Sequence, residues 1–115
     1  MLSGGGGADT FVFAAGSSPV AGGATGVATI SDWNSGDHLD IGVAGAFHTD
    51  ATGVNFSDAL TKADILLAAN SESVAVVKVG SDVVVFIDNN ADHVSDDAII
   101  LTGRALTDIS GSSFI

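Results

Sequence analysis

The stretch Val74-Ala75-Val76-Val77-Lys78-Val79, Gly80-Ser81, Asp82-Val83-Val84-Val85-Phe86-Ile87 reads as a hairpin of two strands joined by a turn that opens on glycine. Apart from Lys78 and Asp82 the two runs are apolar throughout, so neither strand has a face for water. Such strands belong in the middle of a sheet that is covered on both sides. Ala98-Ile99-Ile100-Leu101-Thr102 continues the meander as a third strand, after a polar, acidic turn from Asp88 to Asp97. Ahead of the hairpin a helix is predicted over 58–69, with Ser57 as its cap and Asn70 as its end. Leu60, Ala63 and Leu67 recur at helical spacing, Ala59 and Leu66 widen the same stripe, and Ile65 falls outside it.

Toward the amino terminus, Thr10-Phe11-Val12-Phe13-Ala14 reads as a strand and residues 16–26, built from small residues, as a loop. Val27-Ala28-Thr29-Ile30-Ser31-Asp32-Trp33 alternates large and small. It predicts a strand with Val27, Thr29, Ser31 and Trp33 on one face and Ala28 and Ile30 on the other, with the buried face left open. Asn34-Ser35-Gly36-Asp37 is a turn, and His38-Leu39-Asp40-Ile41 a short strand after it.

The chain has 115 residues, which suits one domain with a modest core. A hydrophobic share of 46% and a mean hydropathy of +0.47 place it outside the disordered class, despite 15 glycines. Three basic residues against 14 acidic ones give a net charge of −11. That balance disfavours nucleic acid and anionic membranes as partners, because both require basic patches, and it favours a cation. No cysteine is present, so thiolate metal sites and a Cys nucleophile are excluded. Met1-Leu2-Ser3 before four glycines lacks the basic and apolar regions of a Sec signal, and no run reaches the roughly 20 apolar residues of a membrane helix.

One motif carries chemistry. Gly4-Gly5-Gly6-Gly7-Ala8-Asp9-Thr10-Phe11-Val12 fits G-G-x-G-x-D-x-U-x, the nonapeptide of calcium-binding parallel β-rolls, at every specified position. Leu2 stands where a preceding repeat would place its apolar residue. Glycines let the backbone turn tightly and present carbonyl oxygens, and Asp9 adds a carboxylate. Calcium takes about six to eight oxygen ligands, so one turn supplies only part of a site and a neighbouring turn must supply the rest. A glycine run by itself equally suits a flexible linker.

The phrase Ala8-Asp9-Thr10-Phe11-Val12-Phe13, a loop, and then Ile30-Ser31-Asp32-Trp33-Asn34-Ser35-Gly36-Asp37-His38-Leu39-Asp40-Ile41 resembles the carboxyl-terminal domain of repeats-in-toxin proteins, notably serralysin-type secreted proteases. The late segment Val85-Phe86-Ile87-Asp88-Asn89-Asn90-Ala91-Asp92-His93 through Asp97, with Leu101-Thr102-Gly103, is similar to that family's strand, Asp-rich turn and Leu-x-Gly ending. Trp33 stands where the family usually has Phe, and His38 where it has Lys. The resemblance implies an all-β fold: the remnant of a calcium-binding parallel β-roll turn leading into an antiparallel β-sandwich, with one short helix. Residues 1–14 would be the last roll turn and strand, and 15–115 the sandwich domain, together one structural unit. It also implies calcium-dependent folding and export through a type I secretion channel to the cell exterior or surface. The uncleaved export signal would lie in the last residues, where Asp108 precedes the final Phe114-Ile115.

The candidate calcium ligands are therefore Gly4, Gly5, Gly7, Asp9, Asp32, Asp37 and Asp40. Asp32 and Asp37 have a second reading, as side chains that close their turn by hydrogen bonds to the backbone. A further candidate set is Asp88, Asn90, Asp92 and Asp96, which follow the alternating positions of an EF-hand loop. That match is partial, with His93 where glycine is demanded and Ile99 where the bidentate Glu belongs. Its alternative is an acidic hairpin tip that keeps the sheet soluble. His38, His48 and His93 form no H-E-x-x-H pair, and no G-x-S-x-G elbow exists, so no enzyme activity is assigned to these residues. The expected function is a calcium-binding, secreted carboxyl-terminal module. The alternatives are a surface-layer or adhesin-type module that self-associates with calcium, and the tail of a secreted metalloprotease whose catalytic domain lies upstream.

Overall fold

The computed structural model describes residues 2–34, 36–42 and 47–114. In chain order the elements are β1 (Thr10–Val12), β2 (Ala28–Ile30), β3 (His38–Asp40), β4 (His48–Gly53), α1 (Phe56–Asn70), β5 (Val74–Val79), β6 (Asp82–Ile87) and β7 (Asp97–Leu101). Short 3-10 turns occupy Val20–Thr25, Leu106–Asp108 and Gly111–Ser113. Among the described residues the architecture is mainly β, with a mixed five-stranded sheet, a parallel two-stranded one and one α-helix. No helix among the described residues is long and apolar enough to cross a membrane.

The apolar hairpin lies inside a five-stranded sheet of order β2-β7-β6-β5-β4. β5, β6 and β7 form the expected antiparallel meander, with Val76 opposite Val85 and Val85 opposite Ile99. The flanking strands correct the expectation of an antiparallel sheet, because β2 runs parallel to β7 and β4 parallel to β5. The physical reason is connectivity: α1 lies between β4 and β5 in the chain and carries it back across the sheet, so the second strand re-enters in the same direction.

Period-two alternation sends the side chains of the meander to two separate cores. Val74, Val76, Val83, Val85, Ile87, Ile99 and Leu101 point to one side, where Ile30, Trp33, Leu39 and Phe114 meet them. Ala75, Val77, Val84, Phe86 and Ala98 point to the other side, against Ala59, Ala63 and Leu67 of the helix. The helical stripe is as the spacing predicts, with Ile65 62% exposed outside it. The helix begins earlier than expected, at Phe56. Asn55 rather than Ser57 caps it, its side chain accepting the Asp58 N–H, and Ser71 ends it in the left-handed region at φ 52°.

Over the first core lies a two-stranded parallel sheet of β1 and β3. Thr10 pairs with His38, Phe11 with Leu39 and Val12 with Asp40. Leu2 lies parallel beside Ile30 as well. Every one of these partners is 28 residues along the chain (30 − 2, 38 − 10), so residues 2–13 and 30–41 trace the same path one above the other. The strand expected over 27–33 is only β2, because the chain turns after Ile30. Ile30 and Trp33, which strict alternation separates, therefore share one core, while Val27 joins the helical side.

β4 was not legible in the sequence, since His48-Thr49-Asp50-Ala51-Thr52-Gly53 is polar and largely exposed. Gly53 is the position that admits it to the sheet. A Cβ there would lie 2.9 Å from both the Lys78 carbonyl oxygen and Val77 Cγ1. Gly53→Ala is therefore expected to cost about 1–3 kcal/mol of stability through overpacking, read as a lower urea midpoint at unchanged slope.

Candidate metal centre

The turn between β6 and β7 is folded by its own carboxylates. Its base closes through Asp96 N–H to the Ile87 carbonyl (2.8 Å), and Asp88 N–H reaches the Ser73 carbonyl (2.8 Å). Asp88, which is 1% exposed, accepts Asn90 N–H on Oδ1 (3.1 Å) and His93 N–H on Oδ2 (2.8 Å). Asn90 Oδ1 accepts Asp92 N–H (3.2 Å), Asp92 Oδ1 accepts Val94 N–H (3.0 Å), and Asp96 Oδ2 accepts Asn89 N–H (2.9 Å). Asp and Asn at every second residue each close a local turn, which winds the backbone tightly around their own oxygens. Ala91 and His93 take left-handed φ values of 62° and 63° to do so. His is among the residues enriched in that region, so the glycine demanded at position 93 is replaced at modest strain.

This winding brings carboxylate oxygens of Asp88, Asp92 and Asp96 within 4.8 Å of one another. This cluster, in which Asp88 is buried, Asp96 half-buried and Asp92 exposed, could hold a metal ion. Asp92 Oδ2 and Asp96 Oδ1 have no protein donor among the described residues. Two more polar atoms of the same segment are buried without a hydrogen-bond partner: Ser95 Oγ and Asp97 Oδ1, on side chains whose residues are each 4% exposed. Three like charges this close repel, and a cation relieves that repulsion. With oxygen donors alone the set suits a hard cation rather than zinc or copper.

The sequence pattern found Asp88, Asn90, Asp92 and Asp96; the carboxylates of the three aspartates meet, and Asn90 Oδ1 accepts Asp92 N–H between them in the chain. It missed Asp64, which reaches in from α1 to accept Ser95 N–H at 2.8 Å across 31 residues. It also missed Asp97, whose Oδ2 accepts Gly16 N–H (2.8 Å) and the Asn89 side-chain amide. Nothing in the linear pattern marks Asp64, whereas the pair Asp96-Asp97 at the strand mouth was a visible signal.

The amino-terminal candidates are arranged differently. Asp32 accepts Gly4 N–H (2.9 Å), Gly5 N–H (2.8 Å) and the Ser3 hydroxyl (3.0 Å). Asp37 accepts Asp9 N–H (2.9 Å) and Asn34 N–H (2.9 Å). The carboxylates of the second turn thus hold the backbone of the first, and Asp37 also closes its own turn, in which Ser35 lies outside the described residues. Gly5 and Gly7 have φ of 82° and 87°, which only glycine adopts freely. Gly4 must be glycine for space, since a Cβ would fall 2.5 Å from Asp9 Oδ2. That oxygen is buried without a hydrogen-bond partner. Asp40 is half-buried on β3, and its carbonyl accepts Phe13 N–H (2.9 Å).

At the other end, Asp108 Oδ2 accepts Ala105 N–H (2.8 Å) and its carbonyl accepts the Trp33 indole N–H (3.0 Å). Phe114 is buried beside Leu39, with its ring 5.3 Å from that of Phe47, and Ile115 lies outside the described residues. Of the histidines, His48 Nδ1 lies 2.5 Å from Glu72 Oε2. No protein-family model, curated protein or solved structure matches the chain.

The Gly4 amide first and the Gly5 amide next hold the Asp32 carboxyl below its ordinary value, with the Ser3 hydroxyl adding to them. The folded carboxyl is thus the stronger acid. Its contribution is complete above the unfolded value near 4 and is lost as the pH falls through the lower folded value. Asp32→Asn is expected to melt below the wild type at neutral pH, and the gap is expected to close below about pH 4, as followed by thermal melts across an acid series.

Proposed function

We propose that this chain is a calcium-binding module of the repeats-in-toxin kind, from the carboxyl-terminal part of a type I secreted protein. The observation that carries the reading is the β6–β7 turn, where the carboxylates of Asp88, Asp92 and Asp96 converge, in a segment that also holds two buried oxygens without a hydrogen-bond partner among the described residues, Ser95 Oγ and Asp97 Oδ1. Asp88, Asp92 and Asp96 would hold the ion, and calcium suits an irregular oxygen cage better than magnesium, which demands a near-ideal octahedron. Support for the family reading comes from residues 2–13 and 30–41, which stack in parallel at a constant offset with glycine-rich or Asp-rich turns aligned. A parallel β-roll is built by that kind of stacking.

In this reading calcium couples folding to location. A module with a net charge of −11 repels itself where calcium is scarce and is neutralised in part where it is plentiful, outside the cell. Phe114 is buried in the core and the Asp108 carbonyl is tied to the Trp33 indole, so a secretion channel would read this segment before the chain folds.

Calorimetric titration of chelator-treated protein is expected to show calcium binding at about 10⁻⁴–10⁻³ M and weaker binding of magnesium. At a hundredfold excess over that constant, calcium should add about 2.7 kcal/mol of stability. The double variant Asp92→Asn/Asp96→Asn should lose the binding heat and, in chelator, melt higher than the wild type because the repulsion is gone. Asp32→Asn should keep the binding heat. A wild type with neither heat nor a thermal shift on adding calcium overturns the reading.

A further inference from the structure

The β6–β7 turn supplies most of its own hydrogen bonding. The N–H groups of Asn89, Asn90, Asp92, His93 and Val94 are accepted by side chains of the turn itself, and that of Asp96 by the Ile87 carbonyl at its base. Ser95 is the exception. Its N–H is accepted by Asp64 Oδ1 of α1 at 2.8 Å. The Ser95 side chain adds no hold of its own, because its Oγ is buried without a hydrogen-bond partner among the described residues. Ser95 immediately precedes Asp96, so the bond from α1 fixes the backbone one residue ahead of a converging carboxylate.

Asp64 follows Ala63, which is buried against the sheet, so the place of its carboxylate is set by how α1 lies there. A second tie runs from the same turn to the segment just after the helix, where the Ser73 carbonyl accepts Asp88 N–H at 2.8 Å. The turn is thus fastened both to the middle of α1 and beyond its end. A carboxylate is a costly acceptor for the Ser95 bond when no cation is bound. It adds negative charge to a turn whose three carboxylates already repel, where a neutral side chain would accept the same N–H. A cation in the turn reverses that cost.

We propose that Asp64 is a positioning residue for the cation, coupling occupation of the β6–β7 turn to the docking of α1 on the sheet. The inference rests on the calcium reading of that turn. Asp64 is not one of the three carboxylates that converge, and it acts through the Ser95 backbone. Groups that orient metal ligands from behind are typically worth about 10- to 100-fold in affinity. Linkage makes the effect reciprocal: whatever factor the docked helix adds to calcium affinity, calcium adds to the docking of the helix.

Calorimetric titration of calcium into chelator-treated protein is the test. Asp64→Ala is expected to bind calcium about tenfold more weakly than the wild type. Asp64→Asn keeps an acceptor for the Ser95 N–H without the charge, and should recover most of that loss. Ala69→Gly, at an exposed position of α1, weakens the helix without touching the turn and should bind as the wild type does. On adding calcium, hydrogen exchange of the α1 amides should slow by a further factor of about ten in the wild type compared with Asp64→Ala. Four results overturn the inference and leave the calcium reading standing: undiminished affinity in Asp64→Ala, Asp64→Asn as weak as Asp64→Ala, Ala69→Gly as weak as Asp64→Ala, or equal slowing of α1 with and without the Asp64 carboxylate. A wild type that takes up no calcium overturns both.

Discussion

Two adjacent strands that are apolar on both faces must be covered twice, and the rest of this molecule is arranged to do so. β5 and β6 are buried almost end to end, and neither face can be left to water. The two covers differ in kind. On one side a single amphipathic helix lies against the sheet through Ala59, Ala63 and Leu67, where two of the three contacts are small and let the helix sit close around the bulky Phe86 and Phe56 rings, 5.5 Å apart. On the other side no helix is available, and the cover is assembled from distant pieces: β1, β3, the Trp33 turn and the carboxyl-terminal Phe114.

That second cover has little regular structure to hold it, and acidic side chains take over the task. Asp32 and Asp37 grip the backbone of the turn above them, and Asp97 grips Gly16 at the start of the crossing loop. The Ser18 hydroxyl bonds the Ala98 carbonyl and accepts Ala28 N–H at 2.7 Å, tying that loop to β7 and β2. A carboxylate that accepts backbone N–H groups both satisfies those donors and is stabilised by them. Much of the acidity is thus structural. The β6–β7 turn differs because its Asx turns draw three carboxylates to one point, leaving oxygens that the backbone does not use.

The readable parts of the fold were those whose signal is local. The Val74–Ile87 hairpin, the third strand and the helical stripe follow from periodicity, and the spacing of Asp88, Asn90, Asp92 and Asp96 follows from the geometry of a tightly wound turn. The unreadable parts have their cause elsewhere in the chain. β4 is polar and becomes a strand only because β5 offers it an edge and Gly53 lets it approach. The helix starts at Phe56, with Asn55 as its cap, and the Phe56 ring lies 5.5 Å from that of Phe86 on a strand 30 residues along the chain.

By itself, then, the sequence determined that a doubly apolar hairpin would be the centre, that a helix would cover part of it, and that glycine and aspartate would shape the turns. These are properties of residues a few positions apart, where side-chain period and backbone preference act directly. The tertiary structure decided the parallel placement of β2 and β4, the stacking of residues 2–13 on 30–41, and the recruitment of Asp64 and Asp97 to the β6–β7 turn. Each of those depends on backbone donors and buried surface meeting across 26 or more residues, and no local pattern records which of many possible partners packs best.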